Sequence, residues 1–201
     1  MFSSVQELQS VLIEMSAWEA GAVVLAIGYL LLATREHPLC WYCAFVSTAI
    51  YTALFWNVSL IMDSALNVYY MGMAIYGWQQ WRHGGQEHTG IAISAIPLQR
   101  HLLIFGLIGI LTLLSGYLLS RHTEAAWPYV DSFTTWASVV TTIMVAKKIL
   151  ENWLYWFVID AVSVPLYIER GLHLTALLFL AYLAIVVMGY VTWRRHFLAA
   201  T

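Results

Sequence analysis

Apolar residues in this chain come in long blocks separated by short polar breaks, instead of alternating with polar ones. A helix needs roughly 20 mostly apolar residues to cross a bilayer. Seven stretches meet or approach that length, at about 17–34, 39–56, 62–81, 101–120, 130–146, 152–168 and 173–193. The breaks are Arg35-Glu36-His37-Pro38, Arg82 to Arg100 with "HGGQEHTG" inside it, Arg121 to Pro128, Lys147-Lys148 and Glu169-Arg170-Gly171. The stretch from Arg82 to Arg100 is the longest and divides the chain. This pattern predicts an all-α membrane protein with seven transmembrane helices. The first sixteen residues read differently. They contain Glu7 and Glu14 but no Lys or Arg, whereas a signal peptide opens with a basic stretch. Phe2, Val5, Leu8, Leu12 and Met15 fall near one helix face, which predicts a short amphipathic surface helix.

Composition agrees with the pattern. Of the 201 residues, 61% are hydrophobic and 10% charged, against roughly 25% charged in a soluble domain. A net charge of −2 offers no basic surface for nucleic acid. Charge also predicts orientation. Arg35, Arg82, Arg100, Lys147, Lys148, Arg194 and Arg195 collect on one side, and Arg121 and Arg170 on the other. Basic loops stay in the cytoplasm, so the N-terminus is expected outside and the C-terminus in the cytoplasm. Cys40 and Cys43 form a CxxC, but at the start of an apolar run, where packing accounts for them better than redox chemistry.

An internal repeat emerges next. "YMGMAIYGWQQWR" (70–82) and "YLAIVVMGYVTWR" (182–194) share Tyr70/Tyr182, Gly77/Gly189, Trp81/Trp193 and Arg82/Arg194 at one offset. "STAIY" (47–51) also resembles "SVPLY" (163–167) through its Ser and Tyr. Two three-helix units can lie parallel only if a linker helix separates them. The expected plan is therefore 3+1+3 with parallel repeats, and a substrate site between the halves. Its parts are a surface segment (1–16), a first repeat (17–81), a loop and linker helix (82–128), a second repeat (129–195) and a cytoplasmic tail (196–201).

Polar stripes run through three of the spans. Trp153, Trp156 and Asp160 share one helix face, continued by Ser163 and Tyr167, within an arc of about 80°. A carboxylate facing lipid is costly, so the stripe is expected to face the bundle interior. The third span carries Asp63, Asn67, Tyr70, Ala74, Gly77 and Trp81, and the fifth Asp131, Thr134, Thr135, Ser138 and Thr142. Several of these residues suit plain structural roles. Ser and Thr bond back to their own helix, Asp63 and Asp131 suit helix N-termini, and Trp81 and Trp193 suit interface anchors. Asp160 is different, lying mid-span with no Lys or Arg in that span. Indole faces stack on planar rings and attract cations, and a carboxylate accepts from hydroxyls or amines. The stripe chemistry suggests a small, planar, cationic nutrient bearing hydroxyl groups.

The sequence resembles the Pnu-type vitamin transporter family from about Trp18 to Arg195. The resemblance rests on "DSFTT", "ENWLYWFVID", "SVPLY", "GLHLTALL" and "IYGWQQW". The family signature, two Trp three apart followed four residues later by Asn or Asp, falls on Trp153, Trp156 and Asp160. The resemblance implies a SWEET-like 3+1+3 fold and uptake across the bacterial inner membrane by facilitated diffusion. A cytoplasmic vitamin kinase would then trap the solute. Nicotinamide riboside is the expected substrate. Thiamine is the alternative, because "LNVYY" resembles thiamine-associated members and Asn67 and Ala74 stand where nicotinamide riboside members often carry Gln and Asn. Trp153 and Trp156 would sandwich the ring, Asp160 and Asn67 would give polar contacts, and Tyr70 and Tyr182 would be contacts or gates. The family implies no cofactor or metal, and a homo-oligomer is compatible with it.

Rival classes lack their residues. All seven His fall at span ends, in loops or in the tail, and HExxH is missing. A retinal protein needs a Lys in its last span, and the only lysines are Lys147 and Lys148. A membrane thiol–disulfide protein using Cys40 and Cys43 remains the alternative of a different class.

Overall fold

The computed structural model describes residues 17–57, 61–85, 87–123, 127–169 and 173–200. The expected surface helix at 1–16 lies outside the described residues. Seven helices follow one another: α1 (Ala17–Thr34), α2 (Cys40–Asn57), α3 (Ile61–His83), α4 (Leu98–His122), α5 (Pro128–Ala146), α6 (Asn152–Glu169) and α7 (His173–Ala200). Polar breaks stand at the ends of α1, α3, α4, α5 and α6. Pro128 opens α5 at a position where its missing N–H costs nothing. One helix outruns its expected span: α7 continues past 193 through Arg194, Arg195 and His196 to Ala200, so the expected tail is helical over 196–200. Charge ends the apolar span there, yet Arg and Leu are good helix formers.

By length and composition alone, α1, α4 and the Ala176–Ala200 part of α7 could each cross a membrane. In α3, α5 and α6 the polar stripes dilute the apolar signal. α4 carries the most outward-facing hydrophobic surface, with Leu102, Leu103 and Leu113 each more than 60% exposed. In water such a face would be a liability, and in lipid it is matched to its solvent.

Packing pairs α1 with α2 and α2 with α3, and in the same way α5 with α6 and α6 with α7. Between these groups α3 meets α5 and α1 meets α7, while α4 rests on α5. The loop after α3 folds back as a strap. Ser94 N–H donates to the Lys148 carbonyl (3.0 Å) and Leu150 N–H to the Ser94 carbonyl (2.8 Å), an isolated parallel bridge.

Trp41, Trp81, Trp153 and Trp193 gather at the basic end of the bundle. Trp81 and Trp193 are buried there (4% and 0% exposed), which corrects their expected role as interface anchors. Each indole N–H reaches across the molecule: Trp81 Nε1 donates to the Val145 carbonyl (3.2 Å) and Trp193 Nε1 to the Ala33 carbonyl (3.0 Å). Both carbonyls lie in the last turn of a helix, on α5 and α1, and each also accepts a backbone N–H, from Lys148 and from Glu36. Trp81 and Trp193, like Ala33 and Val145, are separated by the same 112 residues as Glu36 and Lys148. The turns after α1 and α5 also match in backbone bonding. His37 N–H donates to Leu32 and Ile149 N–H to Met144; Cys40 N–H donates to His37 and Asn152 N–H to Ile149. In that register Ser47 stands opposite Ile159 and Tyr51 opposite Ser163. The Ser and Tyr shared by "STAIY" and "SVPLY" are therefore not equivalent positions.

Candidate functional site

A cavity of about 340 Å³ opens among α1, α3, α5, α6 and α7. Its size suits a small solute, since ligand pockets run from about 300 Å³ upwards. α6 gives it Trp156, Ile159, Asp160, Ser163 and Tyr167; α7 gives Phe179, Tyr182 and Val186. α5 presents Thr134, Thr135 and Ser138, α3 presents Leu66 and Tyr70, and α1 presents Tyr29. The polar stripe of α6 thus faces the bundle interior. Spacings of three and four residues carry Trp156, Asp160, Ser163 and Tyr167 to the same cavity wall.

Asp160 is 4% exposed and takes part in no ion pair among the described residues. Ser163, one turn on, donates its hydroxyl to the Ile159 carbonyl (2.8 Å), so it offers the cavity lone pairs. Thr134 likewise bonds back to Val130 and Asp131, as Ser and Thr in apolar helices commonly do. Tyr70 is within hydrogen-bonding reach of Ser138, and Tyr69 ties α3 to α5 by donating to the Val139 carbonyl (2.9 Å). Tyr167, Phe179 and Tyr182 form a chain of tilted rings, with centroids 4.9 Å and 5.5 Å apart. The cavity therefore offers aromatic walls, several hydroxyl oxygens and one carboxyl group. It can hold a flat polar solute by stacking and hydrogen bonds. Among the described residues no group of three His, Cys, Asp or Glu could hold a metal.

Of the six residues singled out in the sequence, Trp156, Asp160, Tyr70 and Tyr182 meet at this cavity. Trp153 and Asn67 are not among its lining residues. The Trp153 ring is 1% exposed and crosses Trp193 edge to face at 5.3 Å. A Cβ on Gly189 would come within 2.6 Å of it, so the glycine makes the slot in which it lies. Trp41 packs on Gly77 in the same way. Asn67 is half-buried on α3 beside Leu66. Its counterpart one repeat later, Phe179, does line the cavity. Ala44 and Thr48 occupy the positions equivalent to Trp156 and Asp160, so these two groups of the site occur in one half only. Tyr29, Phe179 and Val186 are lining residues the sequence did not single out. They sit in apolar runs where only a neighbouring helix marks them. The side chain of Asp63 and all of Gly171 lie outside the described residues.

A profile of the family described as "Nicotinamide mononucleotide transporter" matches residues 16–195. The chain belongs to that family. It is a family of membrane transporters, not of enzymes. Among its relatives, the nicotinamide riboside transporter PnuC of Escherichia coli (strain K12) is 24% identical over 197 residues, covering 86% of this chain and 81% of the relative. The riboflavin/roseoflavin transporter RibM of Streptomyces davaonensis is 24% identical over 177 residues, covering 86% and 80%. The crystal structure of the Vitamin B3 transporter PnuC superposes with a TM-score of 0.71 at 22% identity, covering 98% of this chain and 90% of that one. These likenesses agree with the helical fold seen here.

Proposed function

We propose that this protein carries a small vitamin across the bacterial inner membrane, with nicotinamide riboside as the substrate. The observation that carries the proposal is the cavity in which Trp156 and Asp160 face Tyr70 and Tyr182. A nicotinamide ring is flat and cationic, which suits an indole face and a nearby carboxylate. Ribose hydroxyls can donate to Asp160 and to the Ser and Thr oxygens. Thiamine, another cationic aromatic, is the second candidate, and riboflavin is the cargo in the name of one relative.

The transport cycle rests on two three-helix halves, α1–α3 and α5–α7, joined by the linker α4 in a SWEET-like 3+1+3 plan. The matched packing and the 112-residue spacing support it. Movement is by facilitated diffusion, with a cytoplasmic kinase trapping the product. The basic end faces the cytoplasm, so the N-terminus lies outside. Trp156 stacks on the ring and Asp160 meets its polar side, while Tyr70 and Tyr182 bound the cavity. Trp153 acts through packing, and Asn67 lies half-buried on α3 beside the lining Leu66. Titrating purified protein with nicotinamide riboside, thiamine and riboflavin, followed by Trp fluorescence, tests the assignment. Saturable quenching by nicotinamide riboside alone is expected, and quenching by thiamine alone would transfer the role to thiamine. Replacing Cys40 and Cys43 by Ser is expected to leave uptake intact. Loss of uptake would favour the thiol–disulfide alternative.

A further inference from the structure

We propose that the basic end of the bundle is a gate held shut by a cross-molecule latch of Glu36, Lys148 and His196 together with the indoles of Trp81 and Trp193. The proposal rests on the transport function above. Lys148 Nζ lies 3.0 Å from Glu36 Oε2, and His196 Nδ1 lies 2.6 Å from Glu36 Oε1. Glu36 follows α1, Lys148 follows α5 and His196 lies near the end of α7. The Lys148 ammonium also sits 4.9 Å from the centre of the Trp81 ring, so one cation joins the charged and aromatic layers.

The location makes this a gate. Tyr29 and Val186 line the cavity and also pack in the Trp cluster. Beyond them toward the basic end come Ala33, Trp81, Val145 and Trp193. A solute leaving the cavity by that end must part these residues. The ties across this plane are reciprocal: α3 caps a carbonyl of α5, α7 caps one of α1, and the turn after α1 pairs with the turn after α5. Rocking one half against the other would break them together.

Two features accompany the closed arrangement. Glu36 and Lys148 both occupy left-handed backbone (φ 54° and 49°) in matching helix-ending turns, whose N–H groups bond back to Ala33 and Val145 and which bring the two charged side chains together. The neighbouring Trp41 and Trp153, again spaced alike, bury indole N–H groups with no partner among the described residues. Buried unpaired donors are disfavoured and can mark groups that find partners in another state.

The native thiol of Cys40, fully buried in this cluster, reports on opening. Maleimide labelling of Cys40 in a Cys43→Ser background measures it without any substrate. A second reporter, Phe179→Cys with both native cysteines replaced, reads access to the cavity wall. Lys148→Gln and Trp193→Phe are each expected to speed Cys40 labelling by about tenfold, as loss of a charge-assisted or buried hydrogen bond shifts the population. Both should slow labelling at position 179 by a membrane-impermeant maleimide added outside right-side-out vesicles, because opening the basic end closes the outer approach to the cavity. The exchange Glu36→Lys with Lys148→Glu should restore both rates only in part, since it re-makes the ion pair but not the contacts of Glu36 with His196 and of Lys148 with Trp81. Acceleration at both reporters would mean local loosening and overturn the gate, as would no change at either. Unmoved labelling in a protein that still transports nicotinamide riboside removes the gate alone. Opposed shifts in a protein that does not bind the vitamin keep the gate and remove only the vitamin assignment.

Discussion

Trp153 and Trp156 are three residues apart on one helix and do different work. Trp156 faces the cavity, while Trp153 fills the slot over Gly189. Trp156→Ala is expected to weaken nicotinamide riboside binding by about 10- to 100-fold, the scale of one lost ring stack, with little loss of thermal stability. Trp153→Ala is expected to lower stability by about 3 kcal/mol, as a large buried ring replaced by Ala leaves a cavity. Thermal unfolding and ligand titration of the two variants separate these effects. Asp160→Asn keeps the shape and removes the charge, so it should cost affinity for a cationic ligand by about tenfold, the scale of a hydrogen bond to a charged group. The neutral nicotinamide fragment should bind the variant and the parent alike. Asp160 was legible in the sequence because a mid-span acid in an apolar helix is conspicuous. The division between Trp153 and Trp156 was not. Helical spacing gives a direction, but the slot at Gly189 belongs to another helix. Tyr29 was silent for the same reason, since nothing on α1 announces what α5 and α7 bring against it.

Helix limits were legible almost throughout, because short charged breaks interrupt long apolar runs. The extension of α7 past Arg195 was not, since helical backbone does not stop where lipid does. Close helix contact depends on two glycines. Gly77→Ala would push a methyl into the Trp41 ring and Gly189→Ala into the Trp153 ring. Each is expected to cost about 1–3 kcal/mol, the usual scale of overpacking, and to lower the unfolding temperature in detergent. The turn after α1 has its own pH signature. Burial pushes the Glu36 carboxyl up, but hydrogen bonds and charge from His196 and Lys148 outweigh it and hold it below its ordinary value of 4.5. A carboxyl held low stabilises the fold above its ordinary range and loses that contribution only as pH falls through the lowered value. Thermal stability should therefore show no Glu36-dependent loss between pH 7 and about 5. The drop at lower pH should be smaller in Glu36→Gln, as pH-resolved unfolding of the two proteins will show.

At the scale of the molecule, the chain joins an apolar exterior to a hydroxyl-lined interior and closes one end with four tryptophans. The seven described helices could be read from the apolar pattern, and the 112-residue spacing of matched contacts agrees with the expected repeat. The register between halves could be read only in part, because small polar residues recur by chance. Orientation makes a direct prediction: in right-side-out vesicles a tag at the N-terminus should be open to protease, and one at the C-terminus protected. The matched positions also differ in content. At the 112-residue spacing, Ala44 and Thr48 stand where Trp156 and Asp160 do. On the proposed 3+1+3 plan the chain thus offers a single seat. Each chain should carry one molecule per cycle, with a simple hyperbolic saturation curve and no cooperativity arising within it.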